Sequence, residues 1–187
     1  MSLRKTIQIV TKLAEHGAIH RYAIAGAVAA LNYIEPNLTE DLDILISVEA
    51  FERRQSGLIL LGPLEKALAE LGYSERTDLG IMIEGWPVQF LPVASDLDQE
   101  ALDSAVEVEL GFTGDPPLKA RCLRAEHLVA IAIKLGRLKD LARVQSFLEQ
   151  GAVDLRSVKE VLQRHDLMSD WLRFCVKAEI ENPLPVI

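Results

Sequence analysis

Leu3, Ile7, Val10 and Leu13 recur at helical spacing and are followed by Gly17, a pattern that predicts an amphipathic helix with a glycine stop. From Ala18 to Ala25 the chain is β-rich and grows apolar, then runs into Gly26-Ala27-Val28-Ala29-Ala30-Leu31, which favours helix. The order is strand, glycine turn, helix. Glu35, Pro36 and Asn37 break that helix, and Asp41-Leu42-Asp43-Ile44-Leu45-Ile46 alternates before turning continuously apolar, as a buried strand does. A further helix is predicted from Pro63 to Leu71, with Gly72 just past its end.

Ile81 to Glu84 and Val88 to Leu91 read as two short strands around a Gly85-Trp86-Pro87 break. Ser95 suits the cap of the next helix, and Glu107 to Phe112 reads as an edge strand. Helical patterns then cover Ala125 to Leu135, Leu138 to Leu148, Leu155 to His165 behind an Asp154 cap, and Asp170 to Val176, with an irregular end at Asn182-Pro183-Leu184-Pro185. No repeat or low-complexity linker interrupts this order. The expectation is one α/β (α+β) domain over 1–187, with a mixed core to about residue 115 and a mainly helical part from 116 onward.

With hydrophobic residues at 49% and aromatic residues at only 5%, the core is expected to be aliphatic. The net charge of -8 disfavours a broad nucleic-acid footprint, which needs clustered Lys and Arg. No apolar run approaches the roughly 20 residues that span a bilayer. Cys122 and Cys175 match no metal-ligand spacing and fit a reduced, cytoplasmic chain with no membrane partner.

Candidate chemistry centres on Asp41 and Asp43. At positions i and i+2 of a predicted strand, both side chains leave one face and can reach one divalent cation, close to a core where bare charge is costly. Upstream, Gly26-Ala27 ends a strand and opens a helix, which turns backbone N–H groups and the positive end of the helix dipole towards an anion. A simple tight turn would use the same glycine. His16, His20, His127 and His165 form no zinc spacing, and His127 on its helix reads as a satisfied or solvated histidine. Ser56, Ser74 and Ser104 sit in no nucleophile elbow, and Trp86 reads as a turn-packing residue.

Gly26-Ala27, then Val28 to Glu40, then Asp41-Leu42-Asp43 resembles the signature of the nucleotidyltransferase superfamily. Thr39 before the acidic pair, and Lys134 followed by Arg137-Leu138-Lys139-Asp140-Leu141, are similar to small bacterial members related to abortive-infection nucleotidyltransferase toxins. The similarity runs from about Tyr22 to Leu148. It implies a mixed sheet with flanking helices and a C-terminal helical subdomain, and a Mg²⁺- or Mn²⁺-dependent transfer from a nucleoside triphosphate to a hydroxyl acceptor.

Under that resemblance Asp41 and Asp43 are catalytic metal ligands, while Gly26, Ala27, Thr39, Lys134, Arg137 and Lys139 contact the triphosphate or acceptor. The acceptor is RNA, protein or a small molecule, and a protein partner of the toxin–antitoxin kind fits the subtype. Ala27 departs from the usual Gly or Ser. Gln89 departs more seriously, since it stands where the family expects a third carboxylate, and an amide lends a metal a neutral oxygen only. Glu84 is the alternative third carboxylate. Gln89 therefore also admits a different class of function, a catalytically weak or silent module that binds nucleotide.

Overall fold

The computed structural model describes residues 2–35, 39–47, 61–112 and 114–185. Pro36 and Asn37, read as helix breakers, and Ser56 lie outside these. The first helix, α1 (Leu3–Glu15), is capped by the Ser2 hydroxyl and buries Ile7, Val10 and Leu13, as its spacing requires. A short strand β1 (Tyr22–Ile24) leads into a one-turn helix α2 (Gly26–Ala30) and then into β2 (Leu42–Ile46). Next come α3 (Gly62–Glu70), with Pro63 in its first turn, and the strands β3 (Arg76–Thr77), β4 (Gly80–Ile83) and β5 (Trp86–Pro92).

After α4 (Asp96–Asp103), capped by Ser95 as expected, β6 (Val106–Phe112) and β7 (Asp115–Cys122) form an antiparallel pair. Four helices follow: α5 (Ala125–Leu135), α6 (Leu138–Glu149), α7 (Leu155–Arg164) behind the Asp154 cap, and α8 (Met168–Lys177). Among the described residues the seven strands make one mixed sheet in the order β3-β4-β5-β2-β1-β7-β6. This is the mixed α+β architecture expected from the sequence. No helix of the described residues is long and apolar enough to cross a membrane.

Two local expectations need correction. The turn between β4 and β5 is Glu84-Gly85, both at positive φ (52° and 84°), which is the two-residue hairpin geometry that follows strand twist. Trp86 and Pro87 are therefore strand residues and not the break. The sheet also runs past residue 115, because β7 inserts between β6 and β1 and meets β1 in parallel at Ile24 and Cys122.

β2 lies inside the sheet, antiparallel to β1 and parallel to β5. Leu42, Ile44, Leu45 and Ile46 are buried, and Asp43 is the one polar residue of the strand. α5 buries Leu128, Val129, Ala130 and Ile133 and packs against α2, α4, α6, α7 and α8, joining the helical part to the sheet core. Both cysteines are buried and free.

Candidate active site

A cavity of about 260 Å³ opens between the sheet and the α5–α6 wall. Gly26, Asp43 and Gln89 line it from the sheet side, and Arg137, Asp140 and Arg143 from the helical side. Its remaining surface is largely aliphatic, with Leu128, Ile131 and Leu135 from α5.

Gly26 is required by its geometry. Its φ is +58°, and a Cβ built there would meet Asp43 Oδ2 at 2.0 Å. The Ala25 N–H donates to the Asp43 carbonyl at 2.8 Å, which continues the antiparallel β1–β2 ladder up to the turn and brings Gly26 against the Asp43 side chain. Glycine here serves the acidic side chain as much as the turn.

Asp41 stands just before β2 rather than within it. Thr39 Oγ1 donates to the Asp41 carbonyl at 3.0 Å and approaches its Oδ1 at 3.4 Å. The Gln89 amide donates to Asp41 Oδ2 at 3.0 Å, and Gln89 pairs in register with Asp43. Asp41, Asp43 and Gln89 thus meet at one wall, although Asp41 is not itself part of the cavity lining. Burial, and then the neighbouring Asp41 charge, hold the Asp43 carboxyl above the usual carboxylate range. Lys139, Arg143 and Arg137 oppose that shift from the helical side.

Arg137 Nε donates to Asp140 Oδ2 at 2.5 Å, and Arg143 Nη1 to Asp140 Oδ1 at 3.5 Å. The Asp140 bond raises the Arg137 pKa further, and the charges on Asp43 and Asp41 add to the effect. Of the three predicted cations only Arg137 lines the cavity; Lys134 and Lys139 are exposed and lie outside the lining, and Lys134 donates to Ser95 Oγ at 2.7 Å. Glu84 occupies the hairpin turn, where it accepts from Tyr73 Oη at 2.6 Å and pushes that phenol up to about 12.

From spacing alone, Asp140 and Arg143 at i and i+3 of one helix amount to a local pair of charges. The signal for more was available in part, since three and four residues from Arg137 and Lys139 place them on the same stretch of helix.

No family model and no curated relative matches the chain. Among solved structures, the antibiotic-resistance factor ANT(2'')-Ia in solution, an aminoglycoside nucleotidyltransferase, superposes with a TM-score of 0.51 at 19% identity, over 90% of this chain and 93% of that one. The chain has a nucleotidyltransferase-like fold. A crystal structure of ANT(2'')-Ia in complex with adenylyl-2''-tobramycin superposes at 0.43 with 16% identity, over 92% of this chain and 98% of that one. Within the nucleotidyltransferase-like fold of this chain, Gly26 and Asp43 belong to the sheet half of the cavity, and the basic segment belongs to the helices that cover it.

Proposed function

We propose that this chain transfers a nucleotidyl group from a nucleoside triphosphate to a hydroxyl of a small acceptor, with Mg²⁺ or Mn²⁺ as the cofactor. The single observation that carries the reading is the pressing of Asp43 against a glycine with no room for a Cβ, beside Asp41 and opposite the cations Arg137, Lys139 and Arg143 at the start of α6. A half-buried carboxylate whose proton affinity is raised by burial and by a second carboxylate beside it is a group that a bound cation would relieve.

The donor set fits one hard divalent ion. Asp41 and Asp43 would supply two carboxylates and Gln89, after a flip of its side chain, one amide oxygen, a set of oxygen donors that suits Mg²⁺. Bound there, the ion would neutralise phosphate charge and acidify the acceptor hydroxyl. The protein's own part is positioning. Gly26 and Ala27 present backbone N–H groups at the turn, and Arg137, Arg143 and Lys139 hold the polyphosphate from the facing helix. The aliphatic surface of α5 excludes water from the reacting groups.

The volume of about 260 Å³ and the net charge of -8 favour a small acceptor over RNA. Thr39 and the Lys134 to Leu141 segment are what the abortive-infection subtype rests on. A second reading, a nucleotide-binding module with little turnover, is favoured by one observation only, the amide at Gln89.

Titration calorimetry with each nucleoside triphosphate, with and without Mg²⁺, followed by a pyrophosphate-release assay on pooled small metabolites, tests both. Mg²⁺-dependent binding with release supports transfer. Binding with no release under any acceptor leaves only the second reading, and no binding removes both.

A further inference from the structure

Asp140 is 2% exposed and is the one carboxylate residue buried to that degree among the described residues. It also lines the cavity. A carboxylate this deep needs compensation, and it receives two guanidiniums, one from the residue preceding α6 and one from the next turn. Its place in the first turn of α6 adds the favourable end of the helix dipole.

Neither arginine is consumed by this arrangement. Arg137 bonds Asp140 through Nε, which leaves both terminal nitrogens outside that bond, and its side chain is 55% exposed. Arg143 is held more deeply, at 15%, and meets Asp140 at the long limit of a hydrogen bond. Both line the cavity and both act on Asp43 across it. A carboxylate that ties two guanidiniums together and leaves their forks available has prepared a site for an anion with several oxygens.

We propose that Asp140 is a positioning residue that holds Arg137 and Arg143 as a paired clamp for a polyphosphate chain. The proposal rests on the polyphosphate-dependent reading above, and deepens it by naming Arg143 as a ligand residue and Asp140 as the group that sets it. Charge alone makes the opposite forecast. Replacing Asp140 by Asn removes a negative charge beside the anion and would tighten binding if the arginines kept their places.

Inorganic tripolyphosphate with Mg²⁺, titrated calorimetrically into the full chain, reads the sign directly without involving base or acceptor. Asp140→Asn is expected to bind about tenfold more weakly than wild type, and Arg143→Lys, which keeps the charge and loses the fork, about fivefold more weakly. Circular dichroism and a thermal midpoint establish that each variant is folded. Unchanged or tighter binding by folded Asp140→Asn overturns the clamp. If that variant does not fold, unchanged binding by Arg143→Lys overturns it instead. A wild type that binds tripolyphosphate but transfers nothing leaves the clamp standing and removes the transfer reading, whereas a wild type that binds none removes both.

Discussion

Glu100 and Asp43 are both partly buried carboxylates, but their charged surroundings differ. Glu100, on α4, meets Arg164 at 2.6 and 3.3 Å, His165 at 2.7 Å and His127 at 3.2 Å, partners that come from α5 and from the end of α7. Those bonds, Arg164 first, hold its carboxyl down at about 2. Asp43 has no cation within ion-pair distance among the described residues, and burial pushes its carboxyl up. One carboxylate is satisfied by the fold and joins its parts. The other has no ion-pair partner among the described residues, which is the arrangement the proposed metal site calls for.

The largest expected separation comes from Asp43→Asn. It should lower the proposed transfer by at least about 100-fold while leaving stability equal or higher by about 0.5 kcal/mol, because a half-buried charge beside Asp41 is removed. Parallel assays of pyrophosphate release and thermal midpoint read the two effects, and a large loss of stability would place Asp43 with the structural groups.

Glu100→Gln should invert that result, costing about 1 to 2 kcal/mol, discounted for the partial exposure of Glu100 and Arg164, with transfer retained. The pH dependence follows from the sign. A carboxyl lowered on folding from 4.5 to about 2 contributes stability that is complete above 4.5 and lost as the pH falls towards 2. The raised Asp43 carboxyl does the reverse, since its penalty is present above its folded pKa and is relieved as acid protonates it. His127, lowered first by burial, adds a loss of stability as the pH falls below its ordinary 6.5. Thermal midpoints across this range should therefore fall in wild type and flatten below 4.5 in Glu100→Gln.

Smaller effects sharpen the contrast. Gln89→Asp should set a third carboxylate beside Asp41, destabilise the metal-free protein by about 1 kcal/mol, and give a larger midpoint rise on adding Mg²⁺ than wild type shows. An equal rise in both would show that Gln89 lies outside the ion's reach. Lys134→Ala should do least, within about 0.5 kcal/mol in stability and less than about twofold in tripolyphosphate binding, because its ammonium is exposed and engaged with Ser95.

The pattern of hydrophobic positions made the helices and β2 legible because each declares itself within a dozen residues. β7 escaped because Pro116 and Pro117 argue against a strand. They are tolerated since β1 meets β7 only at its far end, at Cys122, and leaves the proline end with one partner strand. Trp86-Pro87 misled for the same reason, since Pro87 enters a strand at its second residue. At the site, Gly26 and the acidic pair could be read from adjacency. The depth of Asp140 and the Glu100 cluster could not, because they depend on how α4, α5, α6 and α7 pack, and Glu100 meets its partners 27, 64 and 65 residues away.

The sheet order has a consequence for synthesis. Asp41 and Gln89 meet across 48 residues, and Tyr33 Oη donates to the Leu123 carbonyl across 90. A ribosome therefore releases the acidic pair long before β5 can flank it, and the arginines that face it only after β7 and α5 have emerged. Parallel pairing of β2 with β5 closes a long loop, and such pairings form late and slowly. Until then the growing chain carries the carboxylates without the facing arginines. Under the proposed function, a nucleoside triphosphate would bind only the completed chain and so would draw late intermediates into the native state.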